Sequence, residues 1–454
     1  MSFTANQAAI ETFRSKYYPE IVLSPAELET LSWCMGNPIT TPSGEPSFDV
    51  HFEVKRALNR LSNMQLLRDN EYERFVQAQV EPKMTAEQFA TFAKKIQAMS
   101  EAEYLALRAI TLIGSISLSP TARAAATEKL GGHPADSIEF LDVTVSKCPE
   151  MYPVYADLDP AVQFLIRDAF AFGHLRHMLY IEGNQGMFKA AEEACARITE
   201  PETRQKTFEF WYLQWFINIT GFKVTVAPDA DPHGSMYLHE GNTAALLQLH
   251  TLLERGTHEP DFIPQILSHY LSFRAASLGL EGEEGVRYLT TQIAAWSRIY
   301  APSAILSEIS AALAAVPQDI LVRPDALKTR APTYVPALFD NSLALLPGEP
   351  QFALHIALSI YLTACREYLA RSVSTDSFVQ PPLNLRLAAD KAKLTEIIAD
   401  LRRFPERQAE IPCCTVTLND RLEVQIEPKP APSPQTFATM GGGETASATH
   451  DATL

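Results

Sequence analysis

Side chains suited to binding a divalent cation are concentrated between Asp229 and His250. This stretch of 22 residues holds the set Asp229, Asp231, His233, His239, Glu240 and His250. Carboxylate oxygens and imidazole nitrogens are the ligands that divalent metals take from proteins. Seven of the eleven histidines also lie between residues 174 and 269, which is about a fifth of the chain. We therefore expect any metal site to lie in this central region.

The two aspartates lie in a predicted loop. Asp229, Asp231 and His233 alternate with Ala230 and Pro232, just after an apolar segment at 222–226 that is predicted to be a short strand. In an irregular loop, carboxylates two residues apart can both turn toward one ion. Aspartate and proline are equally typical of ordinary turns, so a turn without a metal remains the simpler interpretation.

Two further histidines are predicted to share one helical face. His174 and His177 are three residues apart in a segment, 161–181, whose pattern predicts a helix, so their rings could chelate one ion. The same face continues through Phe170 and Ile181, which is also what a core-facing stripe looks like. His250 follows Leu246 and Leu249 at helical spacing and is predicted to be a buried, hydrogen-bonded core histidine.

These residues lead to two hypotheses of different classes. In the first, Asp229, Asp231, His233 and His239 bind a divalent metal ion, with help from His174 and His177. Glu240 is then the general base that activates a metal-bound water, for hydrolysis or phosphoryl transfer on a small or phosphorylated substrate. In the second, the chain is a non-catalytic helical interaction protein, of the bacterial effector or adaptor type, that binds a protein partner and uses its histidines structurally.

Several specific catalytic motifs are missing from the sequence, which keeps both hypotheses open. The chain has no H-E-x-x-H and no E-x-x-H, and its one His-Asp pair is His450-Asp451 near the C-terminus. It also lacks the glycine-rich phosphate loops and the G-x-S-x-G nucleophile motif. The enrichment in ligand-type residues therefore indicates where a functional site is expected but not which reaction it would catalyse.

The elements that must position these residues are predicted to be helices. Helix-start patterns recur along the chain at Ser24–Glu27, Thr85–Gln88, Ser100–Glu103, Ser119-Pro120, Asp159-Pro160 and Thr199–Glu202. After the central loop, Asn242 or Thr243 is predicted to begin a helix that ends at Arg255-Gly256. The aromatic run from Phe208 to Phe216 is predicted to be a buried helix.

The predicted fold class is mainly α, with a small β element made of the strand near 222–226 and a hairpin near 415–426. Prolines between 324 and 350 suggest a boundary before a C-terminal unit. We expect an N-terminal helical region at 1–145, a central helical region at 146–330, a C-terminal region at 331–428 and a disordered tail at 429–454.

Composition narrows the classes of molecule that the protein is expected to bind. The formal net charge of −16 argues against a nucleic-acid or anionic-membrane partner, because both need a basic surface. The longest apolar stretch, Phe352–Cys365, is too short to span a bilayer and is predicted to be a core helix. No signal-peptide pattern begins the sequence, and the six scattered cysteines are expected to be free thiols. These features favour a cytoplasmic protein, or one exported through a non-classical secretion system.

Overall fold

Helices form nearly all the regular structure. The computed structural model describes residues 3–35, 52–77, 79, 81–117, 119–131, 137–222, 237–282, 284–300, 302, 305–316, 333–371 and 383–430. Its helices are α1 Phe3–Tyr17, α2 Pro25–Met35, α3 Phe52–Arg68, α4 Tyr72–Val76, α5 Ala86–Gln97, α6 Glu101–Ile116, α7 Pro120–Leu130, α8 Ser137–Lys147, α9 Pro153–Ala156, α10 Pro160–Phe170, α11 Leu175–Leu179, α12 Lys189–Arg197, α13 Pro201–Thr220, α14 Glu240–His258, α15 Ile266–Ser277, α16 Glu284–Trp296, α17 Ile305–Ala314, α18 Val335–Leu345, α19 Pro350–Arg371 and α20 Lys391–Arg403. Short 3₁₀ helices lie at Pro149–Met151, Asn184–Phe188, Pro260–Gln265 and Pro405–Ala409. The prediction of a mainly α protein is confirmed.

Most of the predicted helix starts are confirmed by their hydrogen bonds. The Ser24 amide donates to the Glu27 carboxylate over 2.8 Å, and the Glu27 amide donates to the Ser24 hydroxyl over 3.2 Å. Reciprocal pairs of the same kind cap α5 and α6, and Ser119 and Asp159 cap α7 and α10. Each cap satisfies first-turn amides that otherwise have no partner.

Three predicted helix boundaries are wrong. Glu200, and not Thr199, caps α13, because its carboxylate accepts from the amides of Glu202 and Thr203. Similarly, His239 caps α14, so this helix begins three residues earlier than a cap at Asn242 would place it. The helix also continues past Gly256 to His258. A Cβ at Gly256 would lie 2.8 Å from Cγ1 of Ile263, so this glycine serves close packing and does not end the helix.

The predicted hairpin is confirmed and the predicted strand near 222–226 is not described. β1 Thr415–Leu418 pairs antiparallel with β2 Val424–Glu427, and Leu418 is opposite Val424. The carbonyl and side-chain oxygens of Asn419 accept hydrogen bonds across the turn that joins them. Phe222 lies in no strand, and residues 223–226 lie outside the described ranges.

Buried apolar side chains form two core clusters. The first extends along the chain from Ile10 to Tyr300, and the buried aromatic face of α13 belongs to it. The second extends from Leu278 to Ile426 and includes most of α19, which confirms the predicted core helix at Phe352–Cys365. α16 supplies side chains to both clusters. The predicted domain boundaries after residues 145, 330 and 428 stay predictions.

Helix length, the cysteines and the C-terminal residues can be compared with the expectations from composition. Among the described residues, no single helix is long and apolar enough to cross a membrane, although the bent pair α6–α7 meets the test by length and composition together. All six cysteines are buried and none forms a disulfide, as predicted. In the predicted tail, the carbonyls of Lys429 and Pro430 accept hydrogen bonds from Arg407, and residues 431–454 lie outside the described ranges.

Candidate functional site

The structure describes some of the predicted metal ligands and not others. Asp229, Asp231 and His233 lie between 223 and 236, outside the described residues. His239 is half-buried, and its Nδ1 accepts from the Asn242 amide at the start of α14. Glu240 is exposed and is the first residue of that helix. The metal site and the role of Glu240 as a base therefore stay predictions.

The prediction of a single helix over 161–181 is wrong, because the helix is interrupted between α10 and α11. Gly173 has a left-handed φ of +84°, and its carbonyl accepts from the indole of Trp211 over 2.8 Å. His174 is therefore the residue before α11 and not part of a continuous stripe. The rings of His174 and His177 still lie side by side, with centroids 4.8 Å apart.

His177 is held by a buried carboxylate. Its Nδ1 lies 2.8 Å from Oε1 of Glu182, and both side chains are buried. This contact leaves Nε2 as the nitrogen of His177 that can accept a proton or bind an ion. Burial, with repulsion from His177 and Arg176, holds the pKa of His174 well below its usual range, so that ring is neutral.

One group of described side chains has the geometry of a cation site, and it is not the predicted one. Glu209 of α13 and His250 and Glu254 of α14 bring three ligand atoms within 4.8 Å of one another. Nε2 of His250 lies 2.8 Å from Glu209, and its Nδ1 lies 3.8 Å from Glu254. The prediction that His250 is buried and hydrogen-bonded is confirmed, although it contacts charged groups.

A lysine already supplies positive charge to this group. The ammonium of Lys95 lies 2.8 Å from Glu209 and 3.3 Å from Nε2 of His250. Burial raises the pKa of Glu209, but the hydrogen bonds and charges of His250 and Lys95 outweigh burial and lower it overall. A cavity of about 240 Å³, lined by four apolar and four charged side chains, lies beside Lys95 and Glu209. A divalent ion would have to displace the ammonium.

Arginine and tyrosine side chains form the other polar site, which we call the arginine–tyrosine cluster. Its members come from α3, α11, α15 and residues next to α11, α13, α14 and α16: Arg56, Arg60, Arg176, Tyr180, Phe222, Tyr237, Arg274, Arg298 and Tyr300. Phe222 and Tyr237 are the described residues on either side of 223–236, and their rings lie 4.9 Å apart.

The arginines lie against aromatic rings. The guanidinium carbon of Arg56 lies 4.1 Å from the ring of Phe222, and that of Arg176 lies 5.2 Å from the same ring. Arg298 lies 4.6 Å from the ring of Tyr237, and Arg274 lies 4.0 Å from the ring of Tyr300. The ring of Tyr180 joins the two sets, with its centroid 6.2 Å from that of Tyr237 and 6.4 Å from that of Tyr300, so the contacts are continuous from α3 to the end of α16.

Among the described residues of the cluster, positive charge exceeds negative charge. Arg56 pairs with Glu53 at 2.8 Å and Arg298 pairs with Asp340 at 2.9 Å. Arg60, Arg176 and Arg274 have no carboxylate partner within the described part of the chain. Arg60 and Arg274 are each only 1% exposed. Because arginine stays protonated in proteins, these buried cations are costly without an anion.

Arg60 and Arg274 differ in how far neutral groups satisfy them. Arg60 donates to the carbonyl of Asn218 and to the hydroxyl of Ser115, each over 3.3 Å. Arg274 donates one bond, over 2.8 Å, to the carbonyl of Ile299, and its Nη1 has no hydrogen-bond partner among the described residues. Nε of Arg298 is likewise without a described partner. Buried donors of this kind are rare in native proteins and need an explanation.

The tyrosines add donors, and the backbone near them is strained. Burial raises the pKa of Tyr180 and Tyr300, so both hydroxyls keep their protons and can donate to an anion. Ile181 and Arg298 have left-handed φ values of 56° and 57°. Such conformations in residues with side chains cost of order 1–3 kcal/mol and cluster at functional sites.

Sequence reasoning missed both polar sites. The members of the arginine–tyrosine cluster are spread from residue 56 to residue 300 at no regular spacing, so no local pattern joins them. For the Glu209 group a signal existed: His250 and Glu254 are four residues apart on one helix.

Comparison with known proteins gave no match: no family model, no curated protein and no solved structure is similar to this chain at a significant level.

Proposed function

We propose that this protein binds a phosphorylated small molecule in the arginine–tyrosine cluster and catalyses hydrolysis or phosphoryl transfer on it. One observation carries the proposal: Arg60, Arg176 and Arg274 lie in one cluster without a carboxylate partner among the described residues. Arginine recognises phosphate through paired, charge-assisted hydrogen bonds, which would satisfy the free donor of Arg274.

Within this proposal, His177 is a candidate for proton transfer. A carboxylate bonded to Nδ1 fixes the imidazole tautomer and makes Nε2 the basic nitrogen, which is how such pairs act in many enzymes. Glu240, the base predicted from the sequence, is exposed and begins α14, where solvent competes for its proton. His177 is therefore the better candidate of the two.

The divalent metal ion is a separate part of the proposal. Its predicted ligands Asp229, Asp231 and His233 would join His239, His174 and His177. In that arrangement the ion would activate a water and His177 would be a ligand, so the two roles of His177 exclude each other. Turnover that EDTA abolishes and Mg²⁺, Mn²⁺ or Zn²⁺ restores would favour the metal. Turnover that EDTA leaves unchanged would favour His177 as the base.

The test of the proposal is anion-dependent stabilisation. The melting temperature of the wild-type chain is measured with pyrophosphate and with sodium chloride at equal ionic strength. Arg274→Met serves as the variant, and Arg255→Met serves as the control because Arg255 is exposed and paired with Glu259. A ligand at 100 times its Kd stabilises by about 2.7 kcal/mol, which shifts the melting temperature by several degrees.

The expected result is a stabilisation by pyrophosphate that Arg274→Met loses and Arg255→Met keeps. If neither pyrophosphate nor a panel of nucleotides and sugar phosphates changes the melting temperature, the proposal fails. The alternative from the sequence, a non-catalytic interaction protein of the effector or adaptor type, then becomes the better account.

A further inference from the structure

Two facing helices bring three ligand-type side chains together outside the arginine–tyrosine cluster. His250 and Glu254 are four residues apart on α14, so their side chains share one face of that helix. Glu209 reaches them from α13, which packs against α14. One ligand atom from each of the three residues lies within 4.8 Å of the other two. Helical proteins build metal sites in this way, from side chains on facing helices.

The ring of His250 is held between the two carboxylates by its packing. Its centroid lies 4.5 Å from that of Tyr212 and 5.3 Å from that of Phe208. In this position Nε2 lies 2.8 Å from Glu209, and Nδ1 lies 3.8 Å from Glu254. A ligand whose rotamer is fixed by packing needs little reorganisation when an ion binds.

The two carboxylates are held together by an amide and neutralised in part by a lysine. Gln205 donates to both, over 3.4 Å to Glu209 and 3.1 Å to Glu254. The ammonium of Lys95 lies 2.8 Å from Glu209. Lys95 is half-buried and lines the cavity of about 240 Å³ together with Glu209. Its flexible side chain therefore has room to move off the carboxylate when another cation takes its place.

We infer that Glu209, His250 and Glu254 form a binding site for a divalent transition-metal ion, with Zn²⁺ as the best match. One imidazole with two carboxylates suits zinc, whereas Mg²⁺ and Ca²⁺ prefer oxygen ligands alone. Zinc–ligand distances of about 2.0–2.2 Å place the ligand atoms of a tetrahedral site about 3.4 Å apart, so small side-chain rotations suffice. Three protein ligands leave the fourth position to water.

This site goes beyond the proposed function. It shares no residue with the arginine–tyrosine cluster or with the metal site predicted from the sequence. Its presence or absence therefore does not decide whether the cluster binds a phosphorylated molecule.

Zinc titration of the full chain tests the inference. The protein is made without a histidine tag, freed of metal with EDTA, and titrated by calorimetry with Zn²⁺ and with Mg²⁺. Glu209→Gln and Glu254→Gln keep the size of each side chain and remove its charge. Each should weaken zinc binding by at least about 10-fold, because losing even an outer partner of a metal ligand costs about 10- to 100-fold. Mg²⁺ should bind more weakly than Zn²⁺ by a similar factor.

Two further variants sharpen the test. His258 is exposed and lies four residues after Glu254 on α14, so the two could chelate an ion at the surface. His258→Asn should leave the affinity for zinc unchanged. Lys95→Met removes the competing cation and should strengthen zinc binding by about two- to fivefold. This expected gain keeps the inference testable if the glutamine variants do not fold.

The outcomes separate this site from the others. Zinc binding that Glu209→Gln leaves unchanged overturns the inference, and so does binding that His258→Asn abolishes, which would assign the ion to the surface. Binding that His174→Asn abolishes and Glu209→Gln keeps would also overturn it, and would support the metal ion of the proposed function. If no zinc binds, the inference fails and the phosphate-binding proposal is unaffected.

Discussion

A buried cation without a carboxylate partner raises the free energy of the folded protein unless another group compensates it. Arg60 meets this need in part, with two neutral acceptors at 3.3 Å. Arg274 donates to a carbonyl and lies against the face of Tyr300. Burial opposes its charge, but Tyr270 and Tyr300 outweigh burial and raise the pKa of Arg274 overall, whereas burial and repulsion from Arg56 hold the pKa of Arg60 well below its usual range. What distinguishes Arg274 is one donor, Nη1, that has no hydrogen-bond partner among the described residues and that an anionic ligand would satisfy.

His239 allows a test of electrostatics at the edge of the cluster. Burial, helped by repulsion from Arg274, lowers the pKa of His239 to about 4. The unfolded chain has a histidine pKa near 6.5, so it binds the proton first as pH falls. Between pH 6.5 and 4 the folded state therefore loses stability, and the loss from His239 is complete below about pH 4.

His239→Asn should remove this loss and keep the helix cap, because asparagine is a favoured N-cap residue. We expect the free energy of unfolding of the wild type to fall by about 1–3 kcal/mol more than that of the variant between pH 7 and 4. Urea unfolding at each pH measures this. His258→Asn is the control, since His258 is exposed. An identical pH dependence in wild type and His239→Asn would contradict the assigned pKa.

At the scale of elements, the sequence predicted what depends on local chemistry. A serine or threonine with glutamate or glutamine three residues later marks the true starts of α5 and α6, but the same pattern at Thr199–Glu202 placed the start of α13 one residue too early. α13 and α14 begin at less typical caps, Glu200 and His239, and were misplaced. The break at Gly173 was missed because apolar spacing continues across it. A long-range contact fixes that break, because the indole of Trp211 donates a hydrogen bond to the carbonyl of Gly173. No local sequence pattern contains this contact.

The break between α10 and α11 gives an element-scale prediction. Gly173→Ala places a Cβ at a φ of +84° and 3.0 Å from Cβ of Ala190. Gly131 also has a left-handed φ, +69°, but has open space around it. The left-handed conformation costs alanine about 1–2 kcal/mol, so Gly131→Ala should lose about that much stability. Gly173→Ala should lose about 1 kcal/mol more, because its neighbour must move.

Chemical unfolding of both variants measures the difference. Equal losses at the two positions would show that the turn after α10 can relax around an added methyl group. The same experiment reports on the site, because the turn at Gly173 places His174 beside His177. We therefore expect the NMR signals of both imidazoles to shift in Gly173→Ala and to stay unchanged in Gly131→Ala.

At the scale of the whole molecule, overall charge and local charge differ in sign. The chain carries a net charge of −16, from which the sequence argued against nucleic-acid and anionic-membrane partners. The described part of the chain nevertheless brings five arginines, three buried and two half-buried, together around a few rings. Composition could not predict this, since it depends on which of α3, α11, α15 and α16 meet. Of the residues predicted for a metal site, His239 adjoins the cluster, with its ring 5.2 Å from that of Tyr300. The arginines were not foreseen.

The two core clusters meet at α16, so a substitution in this helix tests whether they unfold together. Trp296 is 1% exposed and belongs to the second cluster, where its ring lies 5.5 Å from that of Phe339 and 4.9 Å from that of Tyr361. Its indole donates over 3.5 Å to the carbonyl of Ile181, beside the arginine–tyrosine cluster. Thr333 likewise donates to the carbonyl of Glu182 over 2.9 Å. The second cluster is therefore bonded to the segment that carries the candidate base.

Trp296→Ala should cost about 3–5 kcal/mol, the usual loss for a large buried aromatic side chain. Because α16 belongs to both clusters, we expect calorimetry to show one unfolding transition in the wild type and one, at lower temperature, in the variant. Phe164→Ala is the control: Phe164 is 63% exposed, so its loss should change stability by less than about 0.5 kcal/mol. Two separate transitions, with only one moved by Trp296→Ala, would instead support an independent C-terminal unit starting near residue 331, as the prolines of the sequence suggested.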